Sequence, residues 1–208
     1  MPMGRLSITT NIDCPILILA AGSSSRMNGR DKLNELVDGE PLLRTQCKRA
    51  IATQQPVYVA LPAAHHTRAE LLSGLDVTIL AIAQATEGIG ATLRESVAML
   101  APCSKFMVIL ADLVSLQTSD LLHMLCVIGT HPNHLIWRGA THKGNPGHPV
   151  VFDNALRSEF LHLSGDNGAT KIIKKHRDQM RLVPLGAQAR LDLDTPQDWA
   201  DWRAGVKI

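Results

Sequence analysis

The sequence predicts an α/β domain in which a mostly parallel sheet is covered by helices on both faces. Three observations predict it. Runs such as "PILILA" and "KFMVILA" are almost wholly apolar, as strands buried on both faces are. These runs alternate with segments whose apolar residues recur at helical spacing. The 208 residues are 45% hydrophobic, enough for one large core, and show no repeat, low-complexity tract or linker.

Each element follows in order. Residues 1–13 read as a flexible N-terminal extension, and residues 1–208 as one domain. "PILILA" is a strand. "PLLRTQCKRAIA" is a helix, with Pro41 suited to its first turn and Leu42, Leu43, Cys47 and Ala50 on one face. "VYVAL" (57–61) is a strand, "HHTRAELLSG" a short helix closed by Gly74, and "VTILAI" (77–82) a strand. "GATLRESVAML" (90–100) is a helix and "KFMVILA" (105–111) a strand. "TSDLLHMLCVI" is a helix with Thr118 as its N-cap. Beyond residue 130 the alternation loosens. "HLIWRG" and "HPVVF" read as strands around the polar loop "ATHKGNPG", "DNALRSEFLHL" and "GATKIIKKH" as helices, and "MRLVPL" as a strand. The last helix begins at "DTPQDWADW", where Thr195 caps, Pro196 takes the first helical position and Asp198 stands at capping-box spacing.

Composition excludes several classes. A net charge of +2 and 3% aromatics argue against a nucleic-acid partner. The basic cluster Lys171, Lys174, Lys175, His176 and Arg177 reads as a solvated helix face. Cys14, Cys47, Cys103 and Cys126 form no CxxC pair and suit reduced, mostly buried thiols. No signal peptide is evident and no apolar run approaches membrane-spanning length, so a cytoplasmic protein without membrane association is expected.

Chemistry gathers where strands end, since ligands of such sheets bind beyond the carboxyl ends of the strands. The first strand runs from Leu19 into Ala20, Ala21 and Gly22, whose small size lets backbone N–H groups approach a ligand. Ser23, Ser24 and Ser25 add hydroxyl donors, and Arg26 and Lys32 add positive charge, a set suited to several phosphates. Neither GxxxxGK[ST] nor GxGxxG is present, and an ordinary strand-to-helix turn with surface serines has the same local composition. Asp112 ends the strand of "VILADLVSL", where a carboxylate can hold Mg²⁺ on a substrate phosphate. In "RLDLDTPQDW", Asp192 and Asp194 alternate, so only one of them is expected to share a metal with Asp112. His131 and His134 flank a Pro-Asn turn and read as plain loop residues. HExxH and GxSxG are missing.

With these motifs in view, "LAAGSSSRMNGRDK" resembles the LAAGxSxRMGxxK signature of the MobA-like nucleotidyltransferases, most of all the molybdenum cofactor cytidylyltransferases. The likeness extends through "DGEPLLRTQCKRA", "EGIGATLRESV", "NPGHPVVF", "LSGDNGAT" and "LDLDTPQDW". It implies a three-layer α/β/α, Rossmann-like fold of the nucleotide-diphospho-sugar transferase type. It implies transfer of CMP from CTP to the terminal phosphate of molybdopterin, with Mg²⁺ as cofactor and transient contact with a client molybdoenzyme.

Carried onto this chain, the resemblance gives Arg26 and Lys32 the catalytic role. Leu19 to Ser25 would bind the nucleotide with Gly88, Gly90 and Thr92. Asn145, Gly147 and His148 would face the acceptor, a structural hydrogen-bonding role being equally open for His148, and Asp112, Asp192 and Asp194 the metal. The chain departs from the family where Asp-Met-Pro becomes Asp112-Leu113-Val114, removing a proline from the turn. The spacing from Arg26 to Lys32 matches the guanylyl-transferring relatives, whereas Ala21 matches the cytidylyl branch. Alternatives are a relative acting on a sugar or isoprenoid phosphate, a guanylyl transferase, and a non-enzymatic protein delivering cofactor to a molybdoenzyme.

Overall fold

The computed structural model describes residues 12–63 and 66–206. In chain order, with the short 3₁₀ turns left aside, the elements are β1 (Ile16–Leu19), β2 (Leu36–Val37), β3 (Glu40–Pro41), α1 (Leu42–Ile51), β4 (Val57–Leu61), β5 (Thr78–Ala81), α2 (Ile89–Met99), β6 (Lys105–Leu110), α3 (Thr118–Thr130), β7 (Ile136–Ala140), β8 (Pro146–Asp153), α4 (Arg157–Phe160), α5 (Thr170–Lys175), β9 (Met180–Pro184) and α6 (Pro196–Arg203). Most of the proposed extension, residues 1–11, lies outside the described residues.

Seven strands form one sheet in the order β5-β4-β1-β6-β8-β7-β9, and β2 and β3 form a separate small ribbon. β5, β4, β1 and β6 are parallel neighbours. β8 runs antiparallel to both β6 and β7, and β9 is parallel to β7. The β7–β8 turn therefore leaves the sheet on the same edge as the carboxyl ends of β1 and β6.

Period-two alternation splits the core. Ile16 and Ile18 pack on one face with Met107, Ile109, Trp137 and Trp199. Leu17 and Leu19 pack on the other with Val108, Val150, Phe152 and Phe160. Phe106, Phe152 and Phe160 form a stacked and edge-on aromatic trio there, with ring centroids 5.0 to 5.7 Å apart.

Three local expectations change. The segment read as a short helix before Gly74 is a 3₁₀ helix, Thr67–Leu72, capped by His66; His65 lies outside the described residues. Gln117, not Thr118, caps α3: Asp120 Oδ2 accepts from the Gln117 N–H at 2.8 Å, and the Thr118 hydroxyl donates to the Arg49 carbonyl instead. "DNALRSEFLHL" yields only a 3₁₀ turn and the four-residue α4. The α6 cap is as expected, with the Asp198 N–H donating to Thr195 Oγ1 at 3.2 Å and Asp198 Oδ2 accepting from the Thr195 N–H at 2.8 Å. All four cysteines are free, Cys14 and Cys47 buried, and burial pushes the Cys47 thiol up to about 12.

Among the described residues no helix is long and apolar enough to cross a membrane.

Candidate active site

A cavity of about 980 Å³ opens beyond the carboxyl ends of β1 and β6. Leu19 to Ser25, Lys32 and Asp112 line one side, and Gly88, Thr92 and Asp166 line another. The loop after β1 turns sharply, with Ser24 at φ 53° and Asn28 at φ 52°, and the Met27 N–H donates to the Ser24 carbonyl at 3.0 Å. Gly22, Ser23 and Ser25 are exposed to the cavity side.

A residue that sequence reading missed holds this loop. Arg68 is buried, its side chain only 3% exposed. Its Nε donates to Asp31 Oδ2 at 2.6 Å and its Nη2 to Asp31 Oδ1 at 2.8 Å, a bidentate pair. Its Nη1 donates to the Ala20 carbonyl and its Nη2 also to Ser24 Oγ. Asp31 Oδ1 accepts in addition from Ser24 Oγ at 2.9 Å and from the Leu33 N–H at 3.0 Å. One buried ion pair thus ties both ends of the loop to the 3₁₀ helix at 67–72. Burial raises the Asp31 pKa, but the Arg68 bonds and charge outweigh it and hold the carboxyl below its usual range. The one signal in the sequence was an aspartate directly before Lys32. Its partner, 37 residues on, carries no local mark.

The charged groups expected from sequence come together at the cavity edge. Lys32 Nζ donates to Asp112 Oδ2 at 2.5 Å and to Asp194 Oδ1 at 2.7 Å. The two carboxylates therefore lie within twice a hydrogen-bond length of each other. All three side chains are under one-fifth exposed. Burial pulls the Lys32 pKa down, yet the charges of Asp112 and Asp194 prevail and raise it above the ordinary lysine value. Arg26 is 69% exposed and reaches Asp194 Oδ2 from solvent at 2.7 Å. Asp194 is thus the acid of the terminal motif that shares Lys32 with Asp112. Asp192 is exposed, forms an isolated antiparallel bridge with Leu113, and has its pKa raised by partial burial and then by Asp112 and Asp194.

The turn after Asp112 lacks proline but is held from α1. Gln46 Nε2 donates to the Leu113 carbonyl at 2.7 Å, and Arg49 Nη1 to the Val114 and Leu116 carbonyls at 2.9 Å each. Leu113 and Val114 are themselves buried.

Gly88 and Gly90 are needed for close packing. A Cβ on Gly88, at φ +111°, would meet Asp166 Oδ1 at 2.1 Å, and one on Gly90 would meet the carbonyl oxygens of Ser164 and Gly165 at 2.7 Å. This packing brings Asp166 of "GDNGA" to the cavity. Gly90 itself is buried and does not line it.

Asn145, Gly147 and His148 do not line this cavity. Asn145 is exposed and Gly147 buried. Burial pushes the His148 pKa down to about 4, Arg138 adding to the effect against the Val108 carbonyl and Asp112, so the ring is neutral at physiological pH. Its Nδ1 is buried without a partner.

No group of three or more His, Cys, Asp or Glu arranged to hold a metal occurs among the described residues. The donor set nonetheless fits Mg²⁺, which takes one or two carboxylates and completes its shell with phosphate oxygens and water. Asp112 Oδ1 is buried and has no hydrogen-bond partner, which leaves it free for such a cation.

The family model for the MobA-like NTP transferase domain matches residues 16–180, and the chain belongs to this family. No curated protein matches it in a sequence search. Among solved structures, Rv0371c from Mycobacterium tuberculosis H37Rv superposes with a TM-score of 0.75 at 24% identity, covering 93% of this chain and 100% of that one. Its complex with manganese gives 0.74 at 21%, again covering 93% of this chain and 100% of that one. A 4-diphosphocytidyl-2C-methyl-D-erythritol synthase from Anaerococcus prevotii gives 0.69 at 13%, covering 93% of this chain and 98% of that one. A CMP:2-keto-3-deoxy-manno-octonic acid synthetase complexed with CTP gives 0.71 at 13%, covering 92% and 97%. At these identities the likenesses establish the fold alone, a Rossmann-like α/β/α one.

Proposed function

We propose that this MobA-like NTP transferase moves CMP from CTP to the terminal phosphate of molybdopterin in the cytoplasm, with transient contact to a client molybdoenzyme. The observation that carries the reading is the ion-paired cluster of Arg26, Lys32, Asp112 and Asp194, of which Lys32 and Asp112 line the cavity walled by the small-residue loop 19–25.

The acceptor phosphate is already an anionic nucleophile, so the site needs no strong general base. Its oxygen attacks the α-phosphorus of CTP, the bond to the β-phosphate oxygen breaks, and pyrophosphate leaves with the bond's electron pair. Backbone N–H groups and hydroxyls of residues 21–25 cradle the triphosphate. Lys32, kept protonated by two carboxylates, stabilises the charge that develops in the transition state, and Arg26, exposed and paired with Asp194, adds its positive charge beside it. Asp112, through its free Oδ1, and Asp194 would hold Mg²⁺, whose charge offsets that of the phosphates. Asp192 orients the segment beside Leu113. Gly88 and Thr92 face the base or ribose. Structural neighbours named for cytidylyl transfer, one solved with CTP, and another solved with manganese support the nucleotide and the divalent ion. Ala21 in the cavity wall favours the smaller pyrimidine.

Pyrophosphate release from each of the four nucleoside triphosphates with Mg²⁺, in the presence and absence of molybdopterin, tests the reading. Release from CTP that needs the acceptor is expected. Preference for GTP would move the protein to the guanylyl branch. Release only with a sugar or isoprenoid phosphate would change the acceptor, and binding without turnover would make it a delivery protein.

A further inference from the structure

Two arginines lie on the side of Asp112 away from the nucleotide loop, and neither has a role in the reaction above. Arg138 is on β7, half-buried, and its Nε donates to the Gly147 carbonyl at 3.0 Å. Arg190 is exposed, and its Cγ passes 2.7 Å from the point where a Cβ on Gly147 would stand. Both side chains thus converge on Gly147, which must be glycine because any side chain would also strike the Ala189 carbonyl at 2.1 Å.

The place in the sheet is specific. Arg138 pairs with Val150 of β8, and Val150 pairs with Val108 of β6. Regular pairing stops there, at a register shift after Arg138 and a cis His148–Pro149 bond, while Leu110, two residues on from Val108, lines the cavity two residues before Asp112. His148, whose buried Nδ1 has no partner, feels the charges of both Arg138 and Asp112 and so lies between the arginine and the cavity carboxylate. The neighbouring charge acting on Arg138 is that of Arg190; burial first, then this like charge, lowers its pKa. No carboxylate bridges either arginine among the described residues. A half-buried cation and an exposed one held close together repel each other unless an anion lies between them. Planar guanidinium forks suit a phosphate.

We propose that Arg138 and Arg190, converging on Gly147 beside His148, form the subsite that holds the phosphate of the acceptor. Its place in catalysis rests on the transfer reaction proposed above; its ligand, a phosphate monoester, rests on the arginines alone.

Calorimetric titration with inorganic phosphate at constant ionic strength tests it in the parent, Arg138→Gln, Arg190→Gln and Lys32→Ala. Each arginine variant should weaken phosphate by about tenfold, the scale of a lost charge-assisted hydrogen bond. Lys32→Ala, which alters the nucleotide loop, should leave this affinity unchanged. Without phosphate, the Tm of Arg190→Gln should equal or exceed the parent's, because a repulsion is relieved and no hydrogen bond is lost. With CTP and molybdopterin, both arginine variants should raise KM for the acceptor and leave KM for CTP alone. No phosphate binding in the parent, equal binding in the arginine variants, or loss confined to Lys32→Ala would each overturn the subsite. A parent that binds phosphate through these arginines yet transfers nothing would sink the reaction and leave the subsite standing.

Discussion

The loop after β1 and the turn between β7 and β8 leave the sheet on the same edge, but they are held differently. The first is fastened by the buried Arg68–Asp31 pair, which satisfies both carboxylate oxygens and a loop carbonyl. The second carries exposed residues from His142 to Pro146, and among the described residues its neighbouring cations pair with no carboxylate, Arg138 donating to the Gly147 carbonyl. In the transfer proposed above, a triphosphate suits a pre-set cradle that needs no reorganisation. On the second, Arg138 and Arg190 stand in place with no carboxylate paired to either among the described residues.

Cutting the fastening should have the largest effect. Arg68→Met leaves Asp31 half-buried without its partner, and breaking such a pair costs about 3–5 kcal/mol. Chemical denaturation should show that loss, and nucleotide binding should fall with it because residues 20–24 lose their anchor. If stability and CTP affinity both match the parent, the loop does not depend on this pair.

Asp112→Asn tests the chemistry the cradle serves. It keeps the shape and removes the charge, so the fold should persist while turnover falls by about 10²–10³, the scale of a lost electrostatic contact in a transition state. Full Mg²⁺-dependent turnover would remove Asp112 from the site.

On the other side, Gly147→Ala sharpens the contrast. The new methyl must displace the Ala189 backbone and the Arg190 stem, at about 1–3 kcal/mol for overpacking. Thermal denaturation should register it, with CTP affinity intact. A fall in CTP affinity as large as that in Arg68→Met would mean that the two regions are one unit.

Acid should separate the regions more gently. The Asp31 pKa is depressed, so its stabilisation is present above the ordinary aspartate value and is lost as pH falls through the folded-state pKa below it. Unfolding followed from pH 6 downward should show a steeper loss in the parent than in Asp31→Asn. His148, held down to about 4 from the ordinary 6.5, also costs stability as pH falls between those values, because only the unfolded chain protonates it. It does so equally in both proteins, so the difference between parent and Asp31→Asn isolates Asp31.

Ala21→Gly should do least. One methyl group in the cavity wall accounts for at most about 1–3 kcal/mol of discrimination between CTP and GTP. The ratio of kcat/KM for the two nucleotides should narrow in the variant, and an unchanged ratio would place base selection elsewhere, at Gly88 to Thr92.

The sequence by itself determined the alternating α/β architecture, because apolar periodicity and the caps at Thr195 and Asp198 are local in the chain. It also marked the ends of β1 and β6 and the terminal acids, since a polar or charged residue that interrupts an apolar strand is visible in one dimension. It did not separate Asp192 from Asp194. That was decided by the bridge between Asp192 and Leu113, which turns Asp194 toward Lys32. Nor did it show how a turn without proline is held, because Gln46 and Arg49 reach Leu113 and Val114 across more than sixty residues of chain. Arg68 on Asp31, and Arg138 with Arg190 at Gly147, were equally hidden. Charge pairing and side-chain convergence act through space, and only the folding of β4, β7 and β9 into one sheet brings these residues to the same edge.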